Sequence, residues 1–347
     1  MSIMGYSDHI KQFLNIDLSS MRPPGFLKMC EGWASSKHAA VAHRRGWKAV
    51  SQCPVCSSDK FKPCFEKFKV SIVQCTNCGL GYSTQIPRFT EDVYADESYL
   101  SEMEQSYEKN CAYRKERFGR ERVALIERYL PEPHGKKLLD LGCGTGWFLE
   151  CAKEAGFDIY GQELSPALAK WTSRRLNIPV WDCDLAKIPG EMTFDVMTMF
   201  DLLEHVEDPV ALIRMVKVRL SPGGIIVVFT PNLDAYSISI MREHSSLIVP
   251  SEHLTYFTES SVRMLSEKAQ MSIEFFCTSG IDLGDLKAYY DELNDPMMAR
   301  ACERLYATLQ PVIDAAGAAN HMRFILMHRR RSPDVSPGVY RAPRSSS

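Results

Sequence analysis

Leu138-Leu-Asp-Leu-Gly-Cys-Gly-Thr-Gly146 decides the fold of this chain: an apolar run carrying Asp140 near its end breaks into glycines at Gly142, Gly144 and Gly146. Residues without a Cβ let the backbone take unusual dihedrals and approach a ligand closely. The sequence then turns helical, from Trp147 to about Glu154, and the first free N–H groups of such a helix point at whatever lies in the turn. Strand, glycine turn and helix together predict a nucleotide cradle. The dinucleotide fingerprint is Gly-x-Gly-x-x-Gly, whereas this turn reads Asp-x-Gly-x-Gly-x-Gly. A plain structural turn is the alternative, so the weight falls on the chain downstream of Gly146.

Downstream, apolar runs recur in regular order. Phe157 to Gly161 is a second short one, ending at Gln162-Glu163, where a carboxylate suits ribose hydroxyls. Ile178 to Trp181 predicts a third strand, followed by Asp182, Cys183, Asp184 and Leu185. Phe194 to Met199 predicts a fourth, leading into Asp201-Leu-Leu-Glu-His-Val-Glu-Asp-Pro209. Ile225 to Thr230 is β-branched and continuously apolar, as in a strand buried on both faces. Ser272 to Thr278 and Asn320 to Met327 complete the set, with helices from roughly Leu283 to Ala316 between them. Strands alternating with helices imply a mostly parallel sheet, with ligands beyond the carboxyl ends of its strands.

These motifs resemble those of the class I S-adenosylmethionine-dependent methyltransferases, over about residues 115 to 330. The resemblance implies an α/β Rossmann-like core with a seven-stranded, mostly parallel sheet, and S-adenosylmethionine as co-substrate. It also implies a donor site drawn from Asp140, Gly142, Cys143, Gly144, Gly146, Glu163, Asp184, Leu185 and Phe200. Asp184 is favoured over Asp182 as the acid near the adenine, because Asp184-Leu-x-x-Ile-Pro fits the family pattern better. A helix cap is the competing reading for Asp182.

Upstream, Cys53-Pro-Val-Cys56 and Cys75-Thr-Asn-Cys78 are two C-x-x-C pairs separated by eighteen residues, the spacing of a zinc ribbon. Four thiolates make a closed tetrahedral site, which favours structural zinc over a catalytic ion needing an exchangeable ligand. Paired disulfides are the third option and fit poorly in a chain without a signal peptide.

With 347 residues and 45% hydrophobic content, the chain is large enough for one main core and a small satellite domain. No apolar run approaches the ~20 residues that span a bilayer. The other eight cysteines are scattered, consistent with idle thiols in a reducing cytoplasm. The net charge of −2 conceals a basic N-terminal part, with twelve Lys/Arg against five Asp/Glu in residues 1–90. The expected organisation is an irregular extension over 1–50 broken at Pro23-Pro24-Gly25, a ribbon over 51–90 and a helical connector over 91–133. A core over 134–330 with a helical insert near 283–316 comes next, then a disordered tail over 331–347.

Methyl transfer from a sulfonium needs the nucleophile in line with carbon and sulfur, and a hydroxyl or carbon acid also needs a base. His205, beyond the fourth strand, and His253 in Ser251-Glu-His-Leu-Thr-Tyr-Phe257 both fall at the carboxyl face. An imidazole suits proton abstraction near neutral pH. A ribbon ahead of this core, with Leu-x-His after strand four and Glu-His-x-x-Tyr-Phe after strand five, resembles the deoxysugar C-methyltransferases. That resemblance implies that His205, Glu252 and His253 line the acceptor site and include the base. Pro250 and Ser251 stand where those enzymes carry a tyrosine. Leu-Glu-His-Val-x-Asp-Pro and Glu-His-Leu-x-x-Phe-Thr equally resemble the ubiquinone-biosynthesis type of O-methyltransferase, so carbon and oxygen stay open as acceptor. The expectation is a cytoplasmic methyltransferase acting on a small metabolite. A second reading places RNA on the ribbon, where Lys60, Lys62, Lys67 and Lys69 alternate with Phe61, Phe65 and Phe68. Aromatic packing with a solvated Lys face competes with it.

Overall fold

The computed structural model describes residues 18–44, 46–89 and 97–329; the expected tail over 331–347 lies outside them. The described chain opens with helices α1 (Leu18–Met21) and α2 (Phe26–Arg44), so most of the described part of the stretch read as an irregular extension is helical. The Pro23-Pro24-Gly25 break is where α2 starts. Its buried residues among those described are Leu27, Ala34 and Val41, seven apart. That stripe is narrower than the wide apolar face by which a surface helix announces itself in a sequence.

The cysteine-bearing region is built from β1 (Trp47–Ala49), β2 (Phe61–Lys67), β3 (Val70–Cys75), β4 (Gly81–Ser83) and β5 (Gln85–Pro87). β1 pairs with β5, while β2, β3 and β4 form an antiparallel sheet. Phe68 and Lys69 make the β2–β3 turn with φ of 52° and 63°, the handedness that matches the twist of a hairpin. Helix α3 (Glu97–Arg114) then passes through a π-type turn at Lys115–Gly119 into α4 (Arg120–Glu127). The helix expected over Phe118 to Leu130 thus starts further upstream and stops sooner.

The core alternates as anticipated: β6 (Lys137–Leu141), α5 (Trp147–Ala155), β7 (Asp158–Gln162), α6 (Pro166–Leu176), β8 (Val180–Trp181) and β9 (Phe194–Phe200). After α7 (Pro209–Val218) comes β10 (Leu220–Pro231), longer than the apolar run alone because Leu220 already pairs with Phe194 before a register shift. Helix α8 (Tyr236–Met241), strand β11 (Thr255–Tyr256), α9 (Glu259–Ala269), β12 (Met271–Thr278), α10 (Asp282–Glu292), α11 (Pro296–Ala315) and β13 (His321–His328) complete the described chain.

Seven strands form the main sheet in the order β12-β13-β10-β9-β6-β7-β8. β13 alone runs antiparallel to its neighbours β10 and β12, so it begins, at His321, on the side where the parallel strands end. Leu138, Val196, Ile226 and Phe324 are fully inaccessible, because helices cover both faces of a sheet wound this way. Strand β11 does not join this sheet. It pairs with β4 and extends the cysteine-bearing sheet to four strands. No helix among the described residues is long and apolar enough to cross a membrane.

Candidate active site

The glycine turn divides its labour. Gly142, Gly144 and Gly146 all sit at positive φ, 68°, 51° and 73°. A Cβ on Gly146 would lie 2.7 Å from Leu176 and 2.8 Å from Thr172, and one on Gly142 would lie 3.0 Å from Leu202. Those two glycines let β6, α6 and the loop after β9 close on one another. A Cβ on Gly144 would meet nothing within 4 Å, so the middle glycine presents bare backbone to open space.

The residues around the turn brace it. Glu163 accepts hydrogen bonds from the Gly144 N–H (3.1 Å) and the Ser165 N–H (2.9 Å). Gln162, not among the expected donor residues, accepts from the Gly142 N–H at 3.3 Å and donates to the Cys183 carbonyl at 3.1 Å. It ties the turn to the loop after β8. Asp140 accepts a 2.6 Å bond from the Thr198 hydroxyl, and burial pushes its carboxyl up to about 7. Burial raises Glu163 as well. Asp184 is 68% exposed and pairs with Lys187 at 3.6 Å, whereas Leu185 and Phe200 are buried. Cys143 is buried and its thiol is pushed well up by desolvation, the state of an inert thiol. An open glycine face, a carboxylate at the second strand end and an apolar wall suit an adenosyl donor.

Beyond the end of β9, the structure brings His205 and His253 together, with ring centroids 4.8 Å apart and planes at 89°. His253 Nδ1 lies 2.8 Å from the Leu247 carbonyl, and the His205 ring bonds to the Glu252 backbone carbonyl. Each imidazole is therefore held through a backbone oxygen. Burial lowers His205 to about 3 and His253 to about 4, so both are neutral at physiological pH. The carboxylate in this cluster is Glu204. Its ligand-type oxygen and a nitrogen of each histidine all lie within 4.8 Å of one another. Glu204 is 1% exposed; one oxygen accepts from Thr230 at 2.9 Å and the other, Oε1, has no hydrogen-bond partner. Burial pushes this carboxyl up to about 8. Glu252 stands outside the cluster with its side chain and serves it through its backbone.

Asp201 separates the two halves. It holds φ of 56° immediately after β9, a conformation that costs a non-glycine residue and often marks a functional turn. Its carboxylate lies 3.6 Å from Arg122 and 3.5 Å from His321. Burial pushes Asp201 up, but His321, Arg122 and His205 outweigh it and hold the carboxyl well below the usual range. Arg122, 7% exposed, stacks over Phe200 at 4.0 Å and Trp147 at 4.7 Å. Asp201 opens the stretch that runs to Pro209, whereas Arg122 and His321 belong to no motif.

The four cysteine Sγ atoms lie within 4.8 Å of one another, with Cys53–Cys78 and Cys56–Cys75 each at 3.5 Å. A tetrahedron with metal–sulfur bonds of ~2.3 Å has edges of about 3.8 Å, so the donor set fits one closed ion. No cysteine among the described residues forms a disulfide. The sheet built on these cysteines reaches the site directly: the Ser83 N–H donates to the Leu254 carbonyl at 3.1 Å, and β4 pairs with Thr255 and Tyr256. Of the basic and aromatic residues on the ribbon, Lys67 is 8% exposed and paired with Glu31 at 2.8 Å. Phe68 packs against His38, and Phe65 lies under the Arg242 guanidinium.

Comparison with known proteins bears on this arrangement. Residues 113–274 match a family described as a methyltransferase domain. The ubiquinone biosynthesis O-methyltransferase of Idiomarina loihiensis is 27% identical over 48% of this chain and 74% of its own length. That of Aliivibrio fischeri is spanned over only 64% of its length. The Chromobacterium violaceum protein of the same name is 36% identical over 46% of this chain and 74% of its own length. Among solved structures, magnesium protoporphyrin IX methyltransferase from Synechocystis PCC 6803 with bound SAH matches 68% of this chain and 96% of its own, at 13% identity and a TM-score of 0.45. With the sheet order, the open glycine turn and these relatives in agreement, the chain belongs to the class I S-adenosylmethionine-dependent methyltransferases.

Proposed function

We propose that the protein methylates an oxygen of a small-molecule metabolite, with the His205–His253 pair receiving the acceptor's proton. The observation that carries this reading is a pair of imidazoles kept neutral by burial, facing each other at 4.8 Å beyond the end of β9. Oxygen is preferred to carbon because relatives matched at 27–36% identity are named as O-methyltransferases.

S-adenosylmethionine supplies an electrophilic methyl on a positively charged sulfur. The Gly144 face, Glu163, Asp184, Leu185 and Phe200 form its berth, with Asp140 bracing the turn through Thr198. His253 donates its Nδ1 proton to the Leu247 carbonyl, which leaves the Nε2 lone pair to accept a proton. A base already neutral needs no deprotonation before it acts. Glu204, protonated near neutral pH and with an unpartnered oxygen, lies within reach to share the proton. Cys53, Cys56, Cys75 and Cys78 hold a structural zinc that fixes the sheet to which the 254–256 segment is joined.

The test is to incubate the full chain with methyl-labelled S-adenosylmethionine and a source-cell extract, then separate small molecules, RNA and protein. Label in the small-molecule fraction is expected; label in RNA overturns the reading. His253→Ala is expected to slow turnover about 100-fold while donor affinity holds. An unchanged rate removes His253 from the mechanism. Loss of activity on brief EDTA treatment, with the ribbon metal retained, would assign the Glu204–His205–His253 cluster to a divalent cation instead.

A further inference from the structure

A chain of polar contacts runs from the first helices into a cavity of about 580 Å³. Arg22, which follows α1, pairs with Asp285 of α10, and Asn320 Nδ2 donates to the same carboxylate at 2.6 Å. Asn320 is wholly buried, and its amide oxygen accepts from the Ile281 N–H at 3.4 Å. The fit around it is tight, since a Cβ on Gly280 would lie 2.1 Å from that oxygen. His321 Nδ1 lies 3.0 Å from the same oxygen, and His321 Nε2 lies 3.5 Å from Asp201. Arg22, Asn320, His321 and Asp201 all line the cavity.

These contacts decide where the protons stand. A carboxylate only accepts, so Asp285 turns the Asn320 NH2 toward α10 and the amide oxygen toward His321. That oxygen only accepts as well, so His321 Nδ1 carries a hydrogen. Nε2 then faces a second carboxylate, and a ring with acceptors at both nitrogens is satisfied as the imidazolium. The other ionisable groups around this pair are Arg122, Arg114, His205, Glu204 and His253, with Asp282 accepting the Asn320 backbone N–H from behind.

Burial pushes Asp140 up to about 7 and Glu204 up to about 8, whereas His321, Arg122 and His205 outweigh burial at Asp201 and hold it low. Of these three acids, Asp201 is the one fully charged at neutral pH. In O-methylation the acceptor oxygen bonds the methyl carbon, its proton passes to imidazole, and the C–S electron pair stays on sulfur as a neutral thioether. One positive charge therefore leaves sulfur and appears on the histidine pair. The Asp201 carboxylate favours the charged form of both His205 and His253, and the opposing effect of His321 on His253 is the smaller of the two.

We propose that Asp285 and Asn320 are positioning residues for methyl transfer: they hold His321 as an imidazolium, which keeps the Asp201 carboxylate charged as counter-ion to the proton taken up by the His205–His253 pair. The first helices enter the site through Arg22, which anchors Asp285. The inference rests on the small-molecule reading above, in which that pair is the base.

The test is ring-nitrogen magnetic resonance on the full chain, isotope-labelled in histidine and saturated with S-adenosylhomocysteine, with His321→Gln assigning the signal. Near neutral pH, His321 is expected to carry hydrogens on both nitrogens, and Asp285→Asn to shift it about tenfold toward the single-proton form. Asp201→Asn, at a half-exposed side chain, makes the same test from the other side of the ring. A singly protonated His321 in the parent chain, or one indifferent to both substitutions, overturns the relay. In the labelling experiment, Asp285→Asn is expected to slow transfer about tenfold with donor affinity held, and lowering the pH to about 6 to restore most of that loss relative to the parent, because His321 recharges. Asp201→Asn should slow transfer at least as much and gain nothing from the lower pH. A loss in Asp285→Asn that acid does not relieve makes Asp285 merely structural and overturns the inference. If the parent chain labels no small molecule, the function proposed above falls, while the ring signals still decide the relay.

Discussion

The proposed donor half and the proposed acceptor half of this molecule are built by opposite means. The donor turn lies between adjacent parallel strands and is braced by residues about 20 positions away, with Glu163 on Gly144 and Gln162 on Gly142. The acceptor half gathers Arg122 from α4, Asp201 from the end of β9, His253 from the loop after α8 and His321 from the start of β13. The first is a local backbone device and the second a convergence of distant side chains. Substitutions on one side should therefore separate cleanly from those on the other.

The largest separation is expected at Gly144. Gly144→Val puts a branched side chain at φ 51° into the space the donor needs, and donor affinity should fall about 100-fold or more with little change in the acceptor cluster. Gly146→Ala instead collides with Leu176 and Thr172 and should cost stability, on the order of 1–3 kcal/mol. Calorimetric titration of the donor alongside thermal unfolding distinguishes the two, and equal losses of binding in both variants would abolish the division of labour within the turn.

Next in size is the ribbon. Stripping its metal should loosen β4 and with it the β11 segment that comes after His253, lowering turnover about tenfold or more. Donor Kd should move by less than about twofold, because the hydrogen bonds that brace the glycine turn come from Gln162 and Glu163 at the end of β7. Metal content, turnover and donor titration on one preparation settle it; a parallel loss of donor binding would show that the two halves are not independent.

Acid and alkali should also tell the halves apart. His253 titrates near 4 in the folded chain against about 6.5 unfolded, so the unfolded chain binds more protons in that window and stability is lost as pH falls through it. The loss is on the order of 2 kcal/mol at about pH 5, and His253→Asn should flatten that limb. Asp140 is shifted the other way, up to about 7 against about 3.9 unfolded, so it withdraws stability as pH rises through that range. Asp140→Asn should flatten the alkaline limb and leave the acid limb as it was. The smallest effect is expected for Gln162→Ala, which removes two hydrogen bonds between the turn and the Cys183 loop and should weaken donor binding about threefold to tenfold.

The same contrast governs how much was legible in the sequence. Asp140, the three glycines and Glu163 announce themselves because a strand, a turn and a helix in succession constrain residue type at fixed spacing. The cysteine pairs do so for the same reason. His205 and His253 were legible as residues at strand ends, but their contact was not, because it depends on the backbone carbonyls of Leu247 and Glu252 that aim them. Glu252 drew attention by adjacency to His253, whereas Glu204, the carboxylate that faces both rings, is brought there by the short helical turn after β9. Arg122 and His321 carried no signal at all. Arg122 looks like any charged residue on an amphipathic helix, and His321 acquires its place only because β13 runs against its neighbours and begins where they end. Helix α2 escaped notice because three buried residues seven apart leave almost no apolar periodicity.

The pairing of β4 with β11 bears on how the chain assembles. Three strands of the cysteine-bearing sheet lie within residues 61–83 and can form early, yet the fourth comes from a segment 170 residues further along, as the contact between Ser83 and the His253 carbonyl shows. Contacts at that separation carry a large loop-closure entropy and form late in folding. Until the main sheet has been threaded through β9 and β10, β4 remains an unpaired edge with its hydrogen-bonding groups open. The ribbon is thus the first part of the protein able to take shape and among the last to be finished, and the strand that finishes it is the one next after His253.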